Sequence, residues 1–184
     1  MFRRILVAID DSNISQLAFE KAVSLAQACK ATLHLLHVLS PTTENVGETP
    51  LFAAAEYGTD IYINAAEHYL ESWHAVEDKG LEMLRSLAES IESKGIETDF
   101  TQLIGNPGEK ICELALDWEA DLIVTGSRRR SGLKELFLGS VSNYVSHRAP
   151  CSILIVHHQE WENSEFGIRN SEKEDVVVED AETR

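Results

Sequence analysis

The sequence predicts an α/β fold: an open five-stranded parallel sheet in the order 3-2-1-4-5, with helices on both faces. Three observations predict it. Short continuous apolar runs recur at Ile5–Ile9, Thr32–Val38, Asp121–Thr125 and Cys151–Val156, as in strands buried on both faces. Segments with helical apolar spacing separate them, and strands alternating with helices imply parallel pairing through right-handed crossovers. A further strand, Ile96–Ile104, instead alternates apolar with polar residues, which suits a sheet edge.

The first apolar run is halted by Asp10-Asp11. The positions Ile14, Leu17, Ala18, Ala22, Leu25, Ala26 and Cys29 then fall on one helical face, with Asp11 or Ser12 available to cap its start. After the second strand, Ser40 to Gly58 contains two prolines and two glycines and reads as a loop. A long helical pattern follows: Ile61, Ala65, Tyr69, Trp73, Val76, Leu84, Leu87 and Ile91. Gly80 should weaken that helix by about 1 kcal/mol relative to Ala. Gly95 suits the position just past its end, with Ile96 making the accompanying apolar contact. On the alternating strand, Ile96, Thr98, Phe100 and Ile104 take one side, Glu97 and Asp99 the other. Pro107 opens the next helix, which turns Ile111, Leu114, Ala115 and Trp118 inward. The fourth strand ends at Gly126. A polar, basic segment leads to Gly139-Ser140 and a short helix, Val141 to Arg148, before Pro150 introduces the last strand.

Composition narrows the function. The 184 residues carry 16 basic and 31 acidic side chains, a formal charge of −15. Phosphate attraction needs a basic surface, so the chain is not expected to bind nucleic acid generally or to adhere to anionic membrane. No apolar run approaches the roughly 18 residues of a membrane span. The start, Met1 to Ile9, lacks the apolar core of a secretory signal. Three cysteines, Cys29, Cys112 and Cys151, form neither a disulfide framework nor a zinc pattern. A cytoplasmic protein with reduced thiols is expected. From Glu160 to Arg184 nine acidic residues stand against three basic ones. Two domains of character result: a folded unit over 1–158 and an acidic, disordered tail over 159–184.

In a sheet of order 3-2-1-4-5, strands one and four lie side by side where the winding reverses, and ligands bind beyond the carboxyl ends there. Asp10 and Gly126 occupy those ends. Gly126 permits close approach of backbone, and Gly139-Ser140 opens a helix whose N–H groups favour an anion. Ser140 and Ser142 add hydroxyl donors, and Arg128, Arg129, Arg130 and Lys134 form a positive island between them. These are the parts of a phosphate cradle. Other signals fail: neither a dinucleotide fingerprint nor a Gly-x4-Gly-Lys-(Ser/Thr) loop is present. His34 and His37 on a strand suit buried, hydrogen-bonded roles. His157-His158 would point to opposite faces and so do not make a metal pair.

Residues 2 to 157 resemble the universal stress protein A family. The resemblance rests on Ile5-Leu6-Val7-Ala8-Ile9-Asp10, Gly126-Ser127-Arg128, Ser131-Gly132-Leu133-Lys134, Leu138-Gly139-Ser140-Val141-Ser142 and Ala149-Pro150-Cys151. It implies an adenine nucleotide alpha hydrolase-like fold, a regulatory role in stress response, and binding of ATP, or of ADP or AMP, with magnesium. Ala8, Ile9 and Asp10 would line the nucleoside, with Asp10 near ribose or a metal-bridged phosphate. Val38 would meet the base through its backbone, and Thr125 would border base or ribose. Gly126, Gly139, Ser140, Val141 and Ser142 would hold phosphates. The family's Gly-x2-Gly-x9-Gly-(Ser/Thr) pattern is matched at Gly126, Gly139 and Ser140. It is broken at Arg129, where glycine is expected: the side chain either obstructs the site or grips phosphate itself. A homodimer through Cys151–Val156 is implied, and an unidentified protein partner is compatible with a regulatory role. No catalytic residue and no metal ligand from protein alone is expected. The alternatives are an interaction module that has lost nucleotide binding and a slow ATPase.

Overall fold

The elements run in chain order β1 (Arg4–Ile9), α1 (Asn13–Cys29), β2 (Thr32–Leu39), α2 (Thr59–Glu92), β3 (Thr98–Ile104), α3 (Pro107–Asp117), β4 (Leu122–Gly126), α4 (Ser140–Arg148) and β5 (Ser152–Val156). The structure, a computed structural model, describes residues 1–40, 59–127 and 139–157, with side chains in α2 from residue 67 onward. The predicted loop over 41–58, Arg129 with the rest of the basic segment 128–138, and the acidic segment 159–184 lie outside the described residues.

All five strands join one parallel sheet in the order β3-β2-β1-β4-β5. The alternation of side chains along each strand divides the core in two. On one face Ile5, Val7, Leu33, Leu35, Leu122 and Val124 pack with Ala18 and Ala22 of α1 and Leu84 and Ile91 of α2. On the other, Leu6, Leu36 and Ile123 pack with Ile111 and Ala115 of α3 and Val145 of α4. Each buried Val, Leu or Ile among them contributes about 1.5–3 kcal/mol by leaving water, which is why the central strands read as largely apolar runs.

Local chemistry sets the helix ends. Ser12, not Asp11, is the N-cap of α1: its hydroxyl accepts from the Ser15 amide at 3.3 Å. Asn106 caps α3, accepting from Gly108 and Glu109, with Pro107 in the first turn as expected. Gly95 has φ +77° and follows α2. Its amide donates to Glu92, and Ile96 is buried behind it. Helix α2 runs unbroken through Gly80.

The third strand is the sheet edge that its alternation predicts, and differs only in where it starts. It begins at Thr98, and Phe100 and Ile104 lie open at 36% and 51% exposure. Edge strands pack on one flank only, so the apolar side of β3 is incompletely covered. Cys112 and Cys151 pack partly buried on the α3–α4 face, and burial pushes both thiols upward in pKa. Among the described residues, no helix is long and apolar enough to cross a membrane.

Candidate functional site

The two central strands separate at their carboxyl ends. The β1–β4 register stops at Val7↔Val124. On their outer sides the same strands continue, β1 with β2 to Ile9↔His37 and β4 with β5 to Gly126↔Val156. Ala8 and Ile9 therefore face Thr125 and Gly126 across an opening gap, at the reversal point of the sheet. Ala8 and Ile9 turn their side chains to opposite cores. Val38 lies one residue past the last β1–β2 partner, on β2 at the same carboxyl end of the sheet.

Asp10 forms one lip. Its carboxylate accepts from the Ser12 amide at 2.9 Å and from the Ser12 hydroxyl, and its own amide donates to Ser15 Oγ at 2.9 Å. Asp10 thus shapes the turn from β1 into α1 while staying half-buried at the gap. A recess of about 300 Å³ adjoins it, lined by Ile9, Asp10, Ser12 and Phe19 with Met83 and Leu87 of α2. It shares Ile9 and Asp10 with the gap and reaches neither β4 nor α4. A larger recess of about 680 Å³ lies at the opposite, amino end of the sheet beside Arg3, Lys30 and Lys94.

Thr125 is buried, and Gly126 forms the other lip. The need for glycine at 126 comes from packing rather than from a left-handed backbone. A Cβ there would stand 3.1 Å from Ile14 Cγ1, Cγ2 and O, against the first turn of α1.

The crossover from β4 to the parallel strand β5 brings the start of α4 to this same carboxyl end. Gly139 is the N-cap, with φ −54° and ψ 160°, and among the described residues no side-chain cap bonds the helix's first amides. α1 and α3 carry such caps. The first N–H groups of α4, around Ser140 and Val141, thereby lack a side-chain cap among the described residues and bear the positive end of the helix dipole. Ser140 is exposed and Val141 packs against the α3–α4 core. Ser142 is buried, and its hydroxyl donates back to the Gly139 carbonyl at 3.1 Å.

The structure therefore brings Ala8, Ile9, Asp10, Val38, Thr125, Gly126, Gly139, Ser140, Val141 and Ser142 to one end of the sheet. His34 and His37 are hydrogen-bonded side chains, His34 Nε2 to Thr101 Oγ1 at 2.8 Å and His37 Nδ1 to Gln102 Oε1 at 2.9 Å. Among the described residues, no group of three His, Cys, Asp or Glu could hold a metal ion. Two polar residues at this end escaped the sequence reading as site residues: Ser127 and His157. Each holds a buried side-chain polar atom, Ser127 Oγ and His157 Nδ1, with no hydrogen-bond partner among the described residues, a property that leaves no trace in residue order.

The chain matches the universal stress protein family over residues 1–157. The universal stress protein YxiE of Bacillus subtilis is 36% identical over 157 residues, 85% of this chain and 99% of that protein. The universal stress protein Sll1388 of Synechocystis is 32% identical, with the same coverage. Among solved structures, the hypothetical protein MJ0577 superposes with a TM-score of 0.66 at 23% identity, covering 89% of this chain and 99% of that one. A universal stress protein in complex with cAMP gives 0.55 at 24% identity, covering 86% and 99%. A universal stress protein family protein from Arabidopsis thaliana with AMP bound gives 0.54 at 18% identity, covering 89% and 97%. These structural likenesses show the fold. With the family match spanning the whole sheet and two relatives above 30% identity along nearly their full length, this chain belongs to the universal stress protein family.

Proposed function

We propose that the chain binds an adenine nucleotide, ATP or its relatives ADP and AMP, at the carboxyl ends of β1 and β4, and that binding serves a regulatory role in stress response. The observation that carries this reading is the gap opening past Val7↔Val124, flanked by Asp10 on one side and by the side-chain-uncapped start of α4 on the other. Ala8, Ile9, Asp10 and Thr125 would hold the nucleoside, with the Val38 backbone at the base. The amides of Gly139, Ser140, Val141 and Ser142 would hold phosphate through the helix dipole, beside Gly126. Arg129 would add a cation to the same phosphates. Magnesium, if carried, would come with the nucleotide and be met by Asp10. Family structures with AMP and cAMP bound support the ligand class.

Thermal unfolding with millimolar ATP, ADP or AMP, with and without magnesium, tests this. A ligand at 100 times its Kd stabilises the fold by about 2.7 kcal/mol. No shift with any of the three, together with no nucleotide released from freshly purified protein in mass spectrometry, would overturn it.

We further propose a cytoplasmic homodimer formed through β5. That strand is a sheet edge whose Ile153, Leu154 and Ile155 remain only half-buried, an arrangement that invites pairing. A monomer alone in sedimentation at micromolar concentration would refute the dimer. The segment 159–184, outside the family match, is proposed as an acidic tail dispensable for nucleotide binding. Truncation after His158 should leave affinity within about twofold, and a larger loss would assign the tail to the site.

A further inference from the structure

Ser127 follows β4 and His157 follows β5. The Ser127 amide donates to the Val156 carbonyl at 2.8 Å, the bond that closes the last parallel pair, Gly126↔Val156, so Ser127 and His157 are the next residues along the two adjoining strands. Both residues hold a buried polar atom, Ser127 Oγ and His157 Nδ1, with no hydrogen-bond partner among the described residues. Ser127 is only 3% exposed. Two such atoms side by side are costly, about 1–3 kcal/mol each when left unsatisfied, and they call for a common partner.

Their face identifies the partner's chemistry. Val124 and Val156 point to the α1–α2 core, and Ile123 and Ile153 to the α3–α4 core. By alternation Ser127 and His157 point toward α3 and α4. That is the side on which α4 begins, with no side-chain cap on its first amides among the described residues. A hydroxyl, an imidazole nitrogen and a helix amino terminus thus share one corner. A group with several acceptor oxygens and negative charge satisfies all three at once. The corner lies one strand spacing, about 4.8 Å, beyond the β1–β4 gap.

We propose that Ser127 and His157 form a side-chain subsite for phosphoryl oxygens, taking the phosphates distal to the nucleoside. Ser127 Oγ–H and His157 Nδ1–H donate to those oxygens. The assignment to distal phosphates rests on the nucleotide reading above; the affinity of the corner for phosphoryl oxygens does not.

The test uses the full chain and two probes. Inorganic pyrophosphate alone is titrated while the His157 imidazole resonances are followed by NMR. Saturable movement of those resonances in the wild type, and an affinity about tenfold weaker in Ser127→Ala, are expected; unmoved resonances would overturn the subsite. ATP and AMP affinities are then compared in Ser127→Ala and His157→Ala. ATP should weaken about tenfold in each, with AMP held within about twofold. Equal losses for both nucleotides, or none, would overturn the distal assignment. If pyrophosphate moves His157 but no nucleotide binds the wild type, the nucleotide reading fails while the phosphoryl subsite stands. Ser127→Ala removes an unsatisfied atom and should not lower the melting temperature, so a loss of binding would not be a loss of fold.

Discussion

The backbone at Gly80 rests against the paired side chains of His37 and Gln102. A Cβ at position 80 would come within 2.6 Å of His37 Nδ1 and closer still to Gln102 Oε1. Gln102 Nε2 donates to the Glu77 carbonyl of α2 at 3.0 Å, so its Oε1 faces His37 and accepts from Nδ1–H at 2.9 Å. One glutamine thereby ties a helix carbonyl to a strand imidazole, and glycine makes the room.

Gly80→Ala should therefore destabilise the protein, although the same change in a solvent-facing helix stabilises by about 1 kcal/mol. Displacing Gln102 breaks two hydrogen bonds and forces α2 outward, a net loss of about 1–3 kcal/mol. Urea unfolding measures it. The double change Gly80→Ala with Gln102→Ala should recover much of the loss; an undiminished loss would place the strain elsewhere.

Gly108 stands in the same relation to Tyr144. A Cβ there would lie 2.8 Å from Tyr144 Cγ and Cδ1. The ring is also held from beyond by the Arg148 guanidinium, 5.4 Å from its centroid. Gly108→Ala should cost about 1–3 kcal/mol by wedging α3 from α4. Pairing it with Tyr144→Leu should narrow the loss, since a smaller side chain leaves space. Because α4 carries the proposed phosphate amides, the single change should also weaken nucleotide binding.

His34 predicts a pH dependence. It is 7% exposed and meets the Trp118 ring edge-on at 5.0 Å. Burial pulls its pKa below 6.5, with the Asp99 carboxylate opposing more weakly. The folded state therefore binds this proton less readily than the unfolded chain. At neutral pH both states are uncharged here and nothing is lost. As pH falls through 6.5 the unfolded state gains the proton first, so stability declines, by at most about 1.4 kcal/mol per pH unit from this residue. His34→Gln should flatten the melting temperature between pH 7 and 5.5 relative to wild type. An equally steep profile in the variant would assign the effect to other groups.

The open start of α4 predicts an exchange between stability and binding. Gly139 has φ −54°, a value any residue can adopt. Gly139→Asp should supply the missing cap and a favourable charge at the helix amino end, stabilising the ligand-free protein by about 0.5–1 kcal/mol. The same carboxylate would occupy the amides proposed for phosphate and repel it. The expected result is a higher melting temperature without nucleotide and a smaller shift with it. An unchanged ligand-induced shift would remove α4 from the phosphate site.

Much of this protein was legible in residue order because the signals are local or periodic. Apolar runs marked β1, β2, β4 and β5, since the central strands bury most of their side chains on both faces. Alternation marked β3 as an edge, and Pro107 and Gly95 punctuated helices through fixed or left-handed φ. From these alone came strand order, the position of the reversal point, and the convergence of Asp10, Gly126 and Gly139-Ser140 upon it. Tertiary structure decided what depends on who stands opposite whom. It gave Gly126 its reason in Ile14, and turned Gly80 from a weak point in a helix into a contact with His37 and Gln102. It left Phe100 and Ile104 uncovered, and it buried Ser127 Oγ and His157 Nδ1, at the ends of adjoining strands, with no hydrogen-bond partner among the described residues. Periodicity reports which face a side chain takes, whereas distance across a packed interface depends on two segments far apart in the chain, and no single stretch of sequence contains it.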